Sequence, residues 1–225
     1  MKLELKTAAL TVLLSLSQAT FLSPARAEGD APKPTTPAAR PSATGTKILF
    51  LGDSVTAGYG LQSEQAYPVL LGQQFLERGH KEIEIANGSI SGSTSASAVS
   101  RLKWQLKYTP QILVLALGAN DGLRGLSPQD MEKNLSEAIR LAQAQGVKVL
   151  LIGMKAPPNY GKKYTTEFAS VFPRLARRYK TVFMPFLLKD VAGYPKLNQG
   201  DGIHPTVEGQ RVLARNILVY LEPML

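Results

Sequence analysis

Five short apolar runs, Ile48–Leu51, Ile83–Ala86, Ile112–Leu117, Val147–Met154 and Thr181–Pro185, punctuate the chain beyond residue 46. Each is rich in Val, Ile, Leu or Phe and alternates little with polar residues, the pattern of strands buried on both faces. Helical spacing fills the intervals. The clearest helix starts at Ser127, with Pro128 in the first helical position and Asp130 three residues after the cap. Met131, Leu135, Ala138, Ile139 and Ala142 then fall on one face, and Gly146 stops it. A last helix follows Thr206 and turns Leu213, Ile217, Tyr220, Leu221 and Met224 inward. Strands alternating with helices predict an α/β fold, a parallel sheet with helices on both faces. In such sheets chemistry gathers at the carboxyl ends of the strands, so the loops after the five runs are where functional residues are expected.

The pattern ahead of residue 47 is different. Lys2 and Lys6 precede an interrupted apolar run from Ala8 to Leu16, followed by Ala25-Arg26-Ala27. A charged start, a short apolar middle and small residues before a cleavage point predict a signal peptide over residues 1–27. Cleavage after Ala19 is the alternative. A membrane anchor fits less well, because Ser15, Ser17 and Gln18 break a run already too short to span a bilayer. Residues 28–46 are rich in Pro, Ala, Thr and Ser, with Pro32, Pro34, Pro37 and Pro41, and predict a flexible linker. The folded domain is expected over 47–225, and the protein in the periplasm or secreted.

Composition removes several chemistries. There is no cysteine, so a thiol nucleophile, a thiolate metal site, a disulfide and a lipid-modified cysteine are all excluded. With two histidines, His80 and His204, a histidine metal cluster is not expected. The formal charge is +9; residues 1–27 hold three cations and one anion, leaving +7 for the remainder. Those cations are scattered, as in Arg101, Lys103 and Lys107 or Arg174, Arg177 and Arg178, and read as solvated helix faces with weak attraction to anionic substrates or membranes. No nucleic-acid-binding motif accompanies them, so nucleic acid is not an expected partner.

Four loop segments carry candidate chemistry. After the first run comes Gly52-Asp53-Ser54. A serine on a strand-to-helix turn points its hydroxyl over the sheet edge, where a helix N-terminus favours an oxyanion; it could equally be an ordinary helix cap. The G-x-S-x-G elbow of α/β-hydrolases is absent, since Gly88-Ser89-Ile90-Ser91-Gly92 puts Ile90 in the serine slot. That second loop could cap the next helix, or Gly92 could bring its N–H to a substrate oxygen. After the third run, in Gly118-Ala119-Asn120-Asp121-Gly122, Asn120 is either a turn residue or an amide aimed at developing negative charge. Asp201-Gly202-Ile203-His204-Pro205 is the most specific segment, because one turn sets a carboxylate beside an imidazole. Asp53 and Asp121 are rival partners for the imidazole, but sit beside turns where aspartate ordinarily bonds the backbone. His80, in a polar turn, is expected to be solvent-exposed.

Together these segments resemble the SGNH (GDSL) hydrolase family, matching its Ser, Gly, Asn and His as Ser54, Gly92, Asn120 and His204. The resemblance runs from Lys47 to the last helix and is nearest the bacterial periplasmic thioesterase I, lysophospholipase and arylesterase group. Also shared are Ala57-Gly58-Tyr59, Asn120 through Gly125, Asn159-Tyr160-Gly161 and Asp201 through Pro205. Val55 replaces the usual leucine of the signature, and Ala119 a frequent glycine. The resemblance implies a three-layer α/β/α, flavodoxin-like fold around a five-stranded parallel sheet. It implies catalysis by Ser54, His204 and Asp201, and an oxyanion hole from the Ser54 and Gly92 N–H groups and the Asn120 side chain. Loops holding Asp121, Leu123, Asn159 and Tyr160 would bind an acyl chain. It calls for no metal or cofactor. The expected substrate is an acyl ester or thioester, with carbohydrate O-deacetylation and a non-enzymatic binding module as alternatives. Transient contact with lipid and a monomeric or weakly dimeric state are further expectations.

Overall fold

The computed structural model describes residues 45–225. The segment read as a signal peptide, and nearly all of that read as a linker, lie outside the described residues. The first strand, β1 (Thr46–Gly52), takes up the last residue assigned to the linker. β2 (Ile83–Asn87), β3 (Ile112–Ala116), β4 (Lys148–Ile152) and β5 (Val182–Met184) follow. All pair in parallel, in the order β2-β1-β3-β4-β5. Helices α1 (Ser54–Ala57), α2 (Tyr67–Glu77), α3 (Ala98–Gln105), α4 (Ala119–Leu123), α5 (Pro128–Ala144), α6 (Gly161–Tyr179) and α7 (Val207–Leu221) fill the connections. α2 packs on α7, while α5 packs on α3 and α6, giving helices on both sides of the sheet. Among the described residues no helix is long and apolar enough to cross a membrane.

Burial separates inner strands from edges. β3 is buried throughout, and β1 and β4 are buried except at their starts. β2 corrects the expectation of two buried faces: Ile83 and Ile85 are half-buried while Glu84 and Ala86 are exposed. An edge strand covered by α2 on one side needs only every second residue apolar. β5, the other edge, is likewise exposed at Val182. The α5 reading holds in detail. Ser127 Oγ accepts from Asp130 N at 3.2 Å, and the five apolar residues assigned to the inner face are all buried. At its end Gly146 N donates to Gln143 O at 2.9 Å and Val147 N to Ala142 O at 3.1 Å, a Schellman stop. In the last helix Leu213, Ile217 and Leu221 are buried, but Tyr220 is half-exposed, and Met224 is buried in a following 3-10 turn.

The strand order reverses direction at β1, so the loops leaving β1 and β3 diverge to opposite faces and leave a crevice at their carboxyl ends. The loop after β2 borders the same crevice.

Candidate active site

The turn that carries Ser54 is built by the two residues before the serine. Asp53, not Ser54, caps α1: its Oδ1 accepts from Val55 N at 3.1 Å. Ser54 is thereby left with its hydroxyl free of capping duty. Gly52 is required by close approach, since a Cβ there would stand 2.2 Å from Thr56 Oγ1. Gly52 N donates to Ser89 Oγ at 3.0 Å and Ile90 N to Gly52 O at 3.2 Å, which ties the loop after β2 to the Ser54 turn. One of these bonds uses a side chain of the loop, Ser89 Oγ, and the other its backbone; no side chain of the loop caps α3, contrary to one sequence expectation.

His204 arrives from the other end of the chain on a tight loop closed by the Asn198–Pro205 bridge. Gln199 N donates to His204 O at 2.7 Å and Gly202 N to Gln199 O at 2.9 Å. Asp201 Oδ1 accepts the N–H groups of Ile203 at 2.9 Å and His204 at 3.0 Å, so its carboxylate is fixed before it meets the ring. Its Oδ2 lies 2.6 Å from His204 Nδ1, and His204 Nε2 lies 2.8 Å from Ser54 Oγ. With the proton on Nδ1 donated to Asp201, Nε2 presents its lone pair to the Ser54 hydroxyl. The bond from His204, joined by the two backbone N–H groups, holds the Asp201 carboxyl well below the usual carboxylate range. Tyr59, missed by sequence reasoning as a site residue, lays its ring against the imidazole with centroids 4.6 Å apart.

Neither rival carboxylate touches the imidazole. Asp53 is buried, and its Oδ2 accepts no hydrogen bond from the described residues. Burial pushes its pKa up to about 6 against the opposing pull of the Val55 N–H, His204 and Arg101. Asp121 Oδ1 accepts from Ser95 Oγ at 2.6 Å and Oδ2 from Ser95 N at 2.8 Å. This corrects two expectations: Asp121 does not stabilise its own turn, and at 3% exposure, with both oxygens engaged inside the protein, it does not face a substrate.

The prospective oxyanion donors come from three strand ends. The N–H groups of Ser54 and Gly92 donate to no acceptor among the described residues. Gly92 adopts φ +76°, a left-handed conformation suited to glycine. Asn120 Nδ2 donates one hydrogen to Ser93 O at 3.1 Å and keeps a second for another acceptor. Beside them Leu123, Leu126 and Tyr160 expose apolar surface, and Tyr160 Oη donates to Leu123 O at 2.8 Å. The structure thus joins Leu123 and Tyr160 in one wall, while Asn159 is exposed ahead of α6. His80 is half-buried rather than exposed: its ring packs edge-on against Phe75 at 5.9 Å, and Nε2 lies 3.6 Å from Glu222. Among the described residues no three His, Asp or Glu side chains converge as metal ligands would.

A serine, a histidine and an aspartate in hydrogen-bond series at the crevice of a parallel sheet define an ester-bond hydrolase of the serine type. Residues 50–212 match the GDSL-like Lipase/Acylhydrolase family, and the chain belongs to that family. It is 41% identical over 169 residues to an arylesterase of Vibrio mimicus, covering 75% of this chain and 84% of that protein. It is 34% identical over 184 residues to thioesterase 1/protease 1/lysophospholipase L1 of Escherichia coli, covering 81% and 86%. The crystal structure of TesA superposes with a TM-score of 0.77 at 39% identity, covering 80% of this chain and all of that one.

Proposed function

We propose that this chain is an exported hydrolase that cleaves acyl esters and thioesters through an acyl-enzyme on Ser54, with His204 as base and Asp201 as its orienting carboxylate. The observation that carries the reading is the pair of contacts at His204, 2.6 Å to Asp201 and 2.8 Å to Ser54. Ser54 Oγ attacks the acyl carbon as its proton passes to His204 Nε2. The oxyanion that forms accepts from the Ser54 and Gly92 N–H groups and the Asn120 amide. Collapse of this intermediate expels the alcohol or thiol, which takes the proton from Nε2. Water then repeats the sequence, giving up a proton to His204 and releasing the carboxylic acid and free Ser54.

The apolar wall of Leu123, Leu126 and Tyr160 supports an acyl chain over an acetylated sugar as substrate. Hydrolysis of p-nitrophenyl esters along a chain-length series, with fluorophosphonate labelling mapped by mass spectrometry, tests this reading. Medium or long chains are expected to be preferred and Ser54 to carry the label. Activity confined to acetyl esters would favour carbohydrate O-deacetylation, and an unlabelled Ser54 would sink the mechanism. Export rests on the first 27 residues. Protein recovered from the cell envelope or medium is expected to begin at Glu28, whereas an intact Met1 would mean retention of the leader.

A further inference from the structure

α4 does more than deliver Asn120. Two of its residues and its C-cap grip the loop that carries Gly92. Asn120 Nδ2 donates to Ser93 O at 3.1 Å, and Arg124, the C-cap one turn later, donates from Nη2 to Gly92 O at 3.0 Å. Residues four apart share a helix face, so these two bonds take hold of successive carbonyls. Beneath them the buried Asp121 accepts from both the N–H and the hydroxyl of Ser95, and Asn134 of α5 donates to the same hydroxyl at 3.1 Å. From Gly92 to Ser95 the loop is therefore fastened to α4 at three residues.

Gly92 needs such fastening. Its left-handed φ of +76° is one of several conformations open to glycine, and rotation there would swing its N–H away from the crevice. Pinning the Gly92 and Ser93 carbonyls fixes the peptide planes on the far side of that soft joint.

We infer that Arg124 and Asp121 are positioning residues that clamp the Gly92 loop to α4 and so hold the two remote oxyanion donors, the Gly92 N–H and the Asn120 amide, at one spacing. The inference rests on the acyl-enzyme reading above. Neither residue touches the reacting atoms; each acts through Gly92 or Ser95.

Arg124 is exposed, so its variants are expected to fold. In Arg124→Ala, kcat for p-nitrophenyl butyrate is expected to fall roughly five- to fifty-fold, less than loss of a donor itself, with KM nearly unchanged. Binding of phenylboronic acid, a tetrahedral mimic, should weaken by a similar factor while the melting temperature holds. Arg124→Lys, which keeps a donor, should recover part of both. Asp121→Asn, scored per folded molecule, should show the same loss in kcat and in boronate binding. Unchanged kcat and boronate affinity in Arg124→Ala would overturn the clamp, as would a rise in KM alone, which would make Arg124 a substrate contact. Wild-type turnover and phosphonate labelling of Ser54 report separately on the parent reading. A wild-type chain inert in both overturns that reading and the inference together, whereas an active wild type matched by Arg124→Ala overturns the inference alone.

Discussion

At His204 each ring nitrogen has one partner, so single substitutions separate the roles of the site. Ser54→Ala and His204→Ala each remove one end of the 2.8 Å contact and are expected to lower kcat by about 10⁴-fold or more, because the members act as a unit. Melting curves alongside the kinetics establish that the variants are folded; more than a tenth of wild-type turnover in either would contradict the assignment. Asp201→Asn keeps the shape of the loop but offers an amide where Nδ1–H needs an anion. Its kcat is expected to drop about 10³- to 10⁴-fold. Near-normal turnover there would mean that Asp53, whose charge also acts on His204, sets the imidazole instead. Asn120→Ala removes one of the proposed oxyanion donors and should cost kcat about 10²- to 10³-fold with little change in KM. A change confined to KM would make Asn120 a ground-state contact.

Among the elements, α5 and the Ser54 turn show two kinds of determination. Ser127, Pro128 and Gly146 mark the ends of α5 by local chemistry, and its inner face is written in the 3.6-residue spacing. In β2 the single covered face is already visible in the sequence, where Glu84 stands between Ile83 and Ile85, but only the neighbours of the strand place it at the sheet edge. The Ser54 turn was legible as a motif but not as a mechanism of support. Nothing local says that Asp53 takes the capping role, or that Thr56 packs against the Gly52 backbone. Gly52→Ala is therefore expected to destabilise the fold by about 1–3 kcal/mol through overpacking, read by urea titration. Since the displaced turn carries Ser54, turnover per folded molecule should fall as well. An unchanged midpoint would show that Thr56 can swing aside at no cost.

For the molecule as a whole, Asp53 links the site to stability. Its pKa is raised by burial from 3.8 to about 6, so between these pH values the folded state holds a proton that the unfolded chain has lost. Stability contributed by the neutral acid is therefore present at low pH and lost as pH rises through the window from about 4 to 6. Asp53→Asn keeps an oxygen for Val55 N and does not ionise. Relative to this variant, wild type should lose on the order of 2–3 kcal/mol of unfolding free energy between pH 4 and 7. A difference constant with pH would show that Asp53 is solvated or paired in solution. Asp201 has the opposite sign: its depressed pKa adds stability above the usual carboxylate range, lost as pH falls through its folded value.

What the sequence determined by itself is whatever short-range pattern encodes: the apolar strands, the caps of α5, and four motifs each following a strand or closing the chain. Those motifs marked Ser54, Gly92, Asn120, Asp201 and His204 as candidates, and the resemblance to the SGNH family implied their roles; only the pairing of Asp201 with His204 was local, because the Asx turn that joins them lies within four residues. The order β2-β1-β3-β4-β5, and with it the crevice where Ser54 meets His204 across 150 residues, was decided only by the packing of the sheet and its helices. The same holds for Asp121 on Ser95, Arg124 on Gly92 and Tyr59 against His204. These contacts join residues whose types satisfy one another only after the backbone has brought them together, and no periodicity or spacing along the chain records which loops will become neighbours.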